Sequence, residues 1–161
     1  MGVVIEDTDL GFNKIQSNIH LLGQLSVDVG PAIESENSKI AVYAAANEFG
    51  ANIENGFGKG IPIRIPERSF MRSTFDNKAV IDKVINRFKT FFGRMIDGGT
   101  NPVDVLGGAS DVLVAEIKAK ITSNIQPPNA PSTIKRKGSG KGTLFDTGSL
   151  LRSITRKVFK K

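Results

Sequence analysis

Apolar residues recur at two different periods along this chain. Leu10, Ile15, Ile19 and Leu22, with Phe12 nearby, follow helical spacing, so residues 7–23 predict an amphipathic helix capped by Thr8 or Asp9 and stopped at Gly23. The period then drops to two. Leu25, Val27 and Val29 alternate with Ser26 and Asp28 across residues 24–30, a half-buried strand closed by Gly30-Pro31. A polar loop at 32–38 leads to an alanine-rich helix, 41–49, ending at Gly50. Glycines and prolines then break regular structure over residues 50–67, which reads as a long flexible excursion.

Helical spacing returns over residues 73–93, with Phe75, Ala79, Val84 or Ile85, Phe88 and Phe92 on one face. Asn101-Pro102 opens a further helix that runs to about Ile125 through Val105, Val112 or Leu113, Ile117 and Ile121. Gly107-Gly108 in its middle is a weak point of about 1 kcal/mol per glycine against alanine. Residues 126–143, with three prolines and three glycines, read as a second flexible loop. Asp146 to Leu151 predicts a helical turn capped by Asp146 or Thr147. Residues 152–159 then alternate Ile154, Arg156 and Val158 against Ser153, Thr155 and Lys157 as a terminal strand. Pairing it with residues 24–30 gives a small α+β domain, a short antiparallel sheet packed by helices, within a single domain spanning 1–161.

Composition narrows the class. No apolar run is long enough to span a membrane. The start has neither the basic, apolar and small-residue order of a secretory signal nor, with Glu6 at position six, a myristoylation signal. Cysteine is absent, which excludes disulfides and thiolate metal sites and fits a cytoplasmic place of synthesis. The net charge of +6 is uneven: residues 135–161 hold nine cations against one acid, +8, leaving −2 on the other 134. A near-neutral body with a basic tail suits an anionic partner such as nucleic acid, and equally suits a solvated terminus.

Three patterns suggest chemistry and fail on context. Asp146-Thr147-Gly148 matches the aspartic-protease triplet, but only 13 residues follow Gly148 and a glycine-rich stretch precedes it in place of a hydrophobic strand. Residues 138–143, GSGKGT, lack the frame of a phosphate-binding loop, since Lys135 stands where its first glycine belongs and Gly142 follows Lys141. His20 is the single histidine, and the acids Glu6, Asp7, Asp9, Asp82, Asp97, Asp104 and Asp111 have no metal-ligand spacing. We therefore expect no catalytic residue, cofactor or metal, and no enzyme.

Three segments in order carry a resemblance. They are Val42-Tyr43-Ala44-Ala45 with Glu48-Phe49-Gly50; Ile65-Pro66-Glu67-Arg68-Ser69-Phe70-Met71-Arg72; and Pro127-Pro128 through Ser132-Thr133-Ile134 and Lys137-Gly138-Ser139 to Leu144-Phe145-Asp146-Thr147-Gly148-Ser149-Leu150-Leu151-Arg152-Ser153-Ile154. Together they resemble the neck and tail-completion (head–tail joining) proteins of long-tailed phages, including the Mu-like virion-morphogenesis family. Ser69 departs from that pattern, where proline is common, and residues 93–125 carry no motif. The resemblance implies a ring-forming structural subunit of the virion, joining the DNA-filled head to the tail. Its partners would be further copies of itself, head-side connector proteins, the tail tube or tail terminator, and genomic DNA without sequence preference. A tail-terminator ring and a free DNA-binding protein are the alternatives. Arg64, Arg68, Phe70, Met71 and Arg72 have the composition of a subunit interface. Lys135, Arg136, Lys137 and Lys141 are the candidates for lining a DNA channel or docking on an acidic ring, and Asp146 with Gly148 for a structural turn.

Overall fold

The structure, a computed structural model, describes residues 11–32, 38–56, 60–138 and 140–161. It is α+β. The first helix, α1 (Phe12–Gln24), starts at Gly11, whose φ of 96° is left-handed; the expected caps Thr8 and Asp9, and Leu10 of its stripe, lie outside the described residues. No residue of α1 is fully buried, and Phe12 and Ile19 of its apolar set are exposed. Strand β1 (Leu25–Pro31) follows, then α2 (Ser38–Phe49), ended at Gly50 with φ 74°.

Residues 50–67 are not an irregular excursion. They hold an antiparallel hairpin, β2 (Ala51–Gly56) and β3 (Ile61–Ile65), with an irregular register between Ile53 and Gly56. Ile61, Ile63 and Ile65 supply the period of two, and Pro62 fits because a two-stranded ribbon offers edge positions that need no N–H.

The helix expected at 73–93 is broken in two. A single turn, α3 (Arg72–Phe75), stops at Asp76, and Asn77 restarts the chain as α4 (Lys78–Ile96) by accepting the Ala79 N–H on its side chain at 3.0 Å. Val80, Val84, Phe88 and Met95 face inward with Phe92, while Phe75, Ala79 and Ile85 are exposed. Asn101 caps α5 (Pro102–Thr122), as its sequence indicates. Residues 126–143 also contain regular structure, α6 (Pro131–Lys137), with proline at its first position. The chain ends with α7 (Ser149–Ser153) and β4 (Ile154–Lys160).

β4 pairs with β1 antiparallel, Val27 opposite Val158 and Asp28 opposite Lys157. The described strands thus form two sheets of two, where one sheet was expected. Helix α5 is the hub: Val105, Ile117 and Ile121 are fully buried, and Ile117 and Ile121 meet Ala44, Phe70, Leu144 and Ile154 in the main core. Gly107 and Gly108 of the same helix are also buried and are sites of close approach, a packing role beyond the propensity cost expected of them. A side chain at Gly107 would meet the Arg156 guanidinium, and one at Gly108 the Phe91 ring of α4. Arg156 is held over this spot by Asp111, 2.6 Å from its Nε.

Candidate functional site

Helix α2 buries one side at Ala44 and Glu48, four residues apart and therefore on one face. A carboxylate placed that way needs partners, and the chain after β3 supplies them. Residues 67–72 cross the end of α2 and converge on Glu48. Its oxygens accept from Ser69 Oγ (2.7 Å), from the N–H groups of Phe70 (2.8 Å), Met71 (2.9 Å) and Arg72 (2.9 Å), and from Arg72 Nε (3.2 Å). Those N–H groups belong to the chain segment that leads into the single turn α3 and point together at the carboxylate. Burial pushes the Glu48 pKa up, but the hydrogen bonds from Met71, Arg72, Ser69 and Phe70 outweigh it and hold the carboxyl below its ordinary value. Arg72 also reaches the Glu48 carbonyl and the Glu67 carboxylate, and its guanidinium lies 4.9 Å from the centre of the Phe49 ring.

Arg68 extends the network to the third segment. It is 5% exposed, and its Nε and Nη2 donate to the carbonyls of Pro127 (2.8 Å) and Pro128 (3.0 Å). Beyond them, Lys137 Nζ sits among the carbonyls of Thr143 (2.9 Å), Gly142 (3.3 Å) and Phe145 (3.4 Å), and Asn129 donates to the same Thr143 carbonyl. Burial lowers the Lys137 pKa; attraction to Asp146 opposes this, and Arg68, Arg136 and Lys141 add to the lowering.

These placements revise the expected sites. Phe70 is fully buried in the core and Arg68 is spent on internal carbonyls, so neither presents an interface on this chain. Met71 is partly buried against the core; Arg64 and Arg72 remain exposed. Of the four basic-loop residues, Lys137 organises the loop from within and Lys141 pairs with Asp146 at 2.9 Å, while Lys135 and Arg136 stay exposed on α6. Asp146 does not cap α7. The residue before that helix is Gly148, left-handed at φ 79°, and the Asp146 carboxyl is held below its ordinary value by the hydrogen bond from Lys141. Glu48, which the sequence offers only as part of a resembling segment, is the central residue of the network. Its signal was an acid four residues after a small apolar one on an alanine-rich helix.

Chemically the network is closed. Both Glu48 oxygens are occupied by donors, which leaves no lone pair poised for a substrate proton. Among the described residues no group of three or more His, Asp or Glu could hold a metal, and no helix is long and apolar enough to cross a membrane. A cleft of about 600 Å³ between α4 and α5 is wide open to solvent, and Lys83 and Glu116 on its walls pair at 2.6 Å. The chain matches no protein-family model, no curated protein and no solved structure.

The Gly148 geometry makes a prediction. Gly148→Val should lower stability by about 2 kcal/mol, because a branched residue is strained at positive φ and its Cβ would lie 2.9 Å from Arg152 Nη1. Asp146→Asn, which loses one exposed ion pair, should leave the urea midpoint where it was. A reversed order of the two midpoints would refute this assignment.

Proposed function

We propose that this chain is a structural subunit of a tailed-phage virion, acting in the ring that joins the filled head to the tail. One observation carries the reading. The three segments that resemble the neck and tail-completion proteins lie up to about a hundred residues apart in sequence, yet Glu48 ties the first to the second and Arg68 ties the second to the third. Matches scattered by chance over a chain have no reason to touch. Matches that specify a common fold do, because residues that close on one another are constrained together.

A ring subunit needs interface on its outside, and α2 offers it. Val42, Tyr43 and Phe49 are 65%, 63% and 64% exposed, on the side of the helix opposite the buried Ala44 and Glu48. Large apolar side chains grouped on an open helix face mark an interaction surface. Lys135 and Arg136, the exposed remainder of the basic loop, are available for diffuse contact with DNA phosphates.

The reading is tested in the phage whose genome encodes the chain. Depleting the protein during infection should leave DNA-filled heads and complete tails unjoined in the lysate. Tails of uncontrolled length would point to a tail-terminator ring. Normal numbers of joined particles would overturn the proposal. Salt-sensitive DNA binding by dilute monomer, with no ring at high concentration, would favour a free DNA-binding protein.

A further inference from the structure

The β2–β3 hairpin is an amphipathic ribbon. By its register, Ala51, Ile53, Ile63 and Ile65 share one face, with Ile61 following in phase along β3, and Asn52 and Arg64 share the other with Pro62. Yet the apolar side is poorly covered: Ile53 is 42% and Ile61 59% exposed. The two strands pair with each other and with no further described strand, so the described sheet has two edges. A two-stranded ribbon of this kind is marginal by itself. It needs a surface to lie on.

The chain carries such a surface and leaves most of it uncovered, with only the Arg72 guanidinium lying over the Phe49 ring. The outer side of α2 exposes Val42, Tyr43 and Phe49, and the hairpin leaves that helix through the left-handed Gly50. Because both apolar sets are exposed in one chain, neither covers the other within it. We infer that the hairpin is an assembly arm that lies, apolar face down, on the outer side of α2 of a second copy. This rests on the ring reading and names its contact.

Area supports a second copy as the occupant. At about 200 Å² for an aromatic side chain, Tyr43 and Phe49 expose roughly 250 Å². Val42, Ile53 and Ile61 raise the total to roughly 500 Å². At the apolar share of about 57% usual for interfaces, this corresponds to an interface of about 900 Å² summed over both partners. That is just under the roughly 1,000 Å² of a specific contact, so a single arm–helix contact is weak and assembly depends on each chain making it twice. Each chain makes the contact twice, once with its arm and once with its helix. Donor and acceptor surfaces differ, so the contact is head-to-tail, leaves a free arm and a free helix at each step, and ends only when a ring closes.

A mixing experiment tests this. Ile61→Asp spoils the arm and Val42→Asp spoils the receiving helix, both at exposed positions. Wild type should form a ring by light scattering, and each variant alone should be monomeric, with its dissociation constant raised at least tenfold and its melting temperature unchanged. Mixed together, the two variants should stop at a heterodimer, because one intact arm and one intact helix remain between them. A mixture that stays monomeric while wild type forms rings overturns the arm contact and spares the ring reading. Variants that assemble like wild type overturn it too. A wild type that is monomeric at high concentration overturns the ring reading itself. If either aspartate variant unfolds, the absence of cysteine allows a second route. Ile61→Cys and Val42→Cys, mixed and oxidised, should give a cross-linked dimer, and its absence in an assembled ring overturns the contact.

Discussion

Replacing Glu48 by alanine should cost about 3 kcal/mol and shift the urea midpoint without changing its slope. Three backbone N–H groups, the Ser69 hydroxyl and Arg72 Nε all donate to this carboxylate, whose side chain is 5% exposed. Each buried donor left without an acceptor costs about 1–3 kcal/mol. Water reaching the half-exposed Arg72 side and the partly buried Ser69 and Met71 recovers much of the loss, which brings the estimate below the sum over five donors. The pH dependence has a definite sign. The folded pKa lies below the ordinary value of about 4.5, so Glu48 contributes its stabilisation above that value and loses it as pH falls through the folded pKa. Glu48→Gln should therefore be less stable than wild type at neutral pH, and the gap should narrow in acid below about pH 4.5. Equal urea midpoints for wild type and Glu48→Ala at pH 7 would show that the network is not what holds residues 67–72 to α2.

How far the sequence showed this arrangement depends on the kind of signal. The β1–β4 pair was legible because both strands alternate cleanly in the phase that puts Val27 and Val158 on one face. The start of α5 was legible because Asn101-Pro102 combines a cap with a first-turn proline, a local signal independent of tertiary context. The hairpin arm was hidden by its own punctuation. Gly56, Gly60 and Pro62 argue against regular structure, although a ribbon tolerates all three and Ile61, Ile63 and Ile65 already alternate. Helix α6 was hidden in the same way by Pro127, Pro128 and Pro131, the last of which starts it.

Arg68, Phe70 and Lys137 were misplaced at the surface for a different reason. Arginine beside an aromatic and methionine is as typical of a well-connected interior as of an interface. Nothing in residues 64–72 alone says that Arg68 will meet two proline carbonyls some sixty residues away. Lys137 was read as a solvent-facing cation because glycine-rich surroundings suggest an open loop. The loop instead turns its carbonyls inward, and an ammonium is the donor that fits them. Long-range partners decide such roles, and spacing along the chain carries no record of them.

Phe70 shows the consequence for experiments on assembly. Composition suggests an interface anchor, and a Phe70→Ala, Arg72→Ala chain would then be a folded monomer unable to assemble. Its position predicts otherwise. Phe70 is 0% exposed among Ala44, Ile117, Ile121, Leu144 and Ile154, while its N–H donates to Glu48 and its carbonyl accepts from Thr74 Oγ1 at 2.7 Å. Truncation to alanine should cost about 3–5 kcal/mol through lost burial and the cavity left behind. For a chain of this size that lowers the melting temperature by roughly 10 °C. Loss of assembly in that variant would then report a loosened core. Phe70→Leu separates the two meanings, since it keeps most of the volume: it should cost about 1–2 kcal/mol and still assemble. Thermal melts and light scattering on the two variants decide the matter. A Phe70→Ala chain that melts like wild type but no longer assembles would return Phe70 to the interface and refute its place in the core.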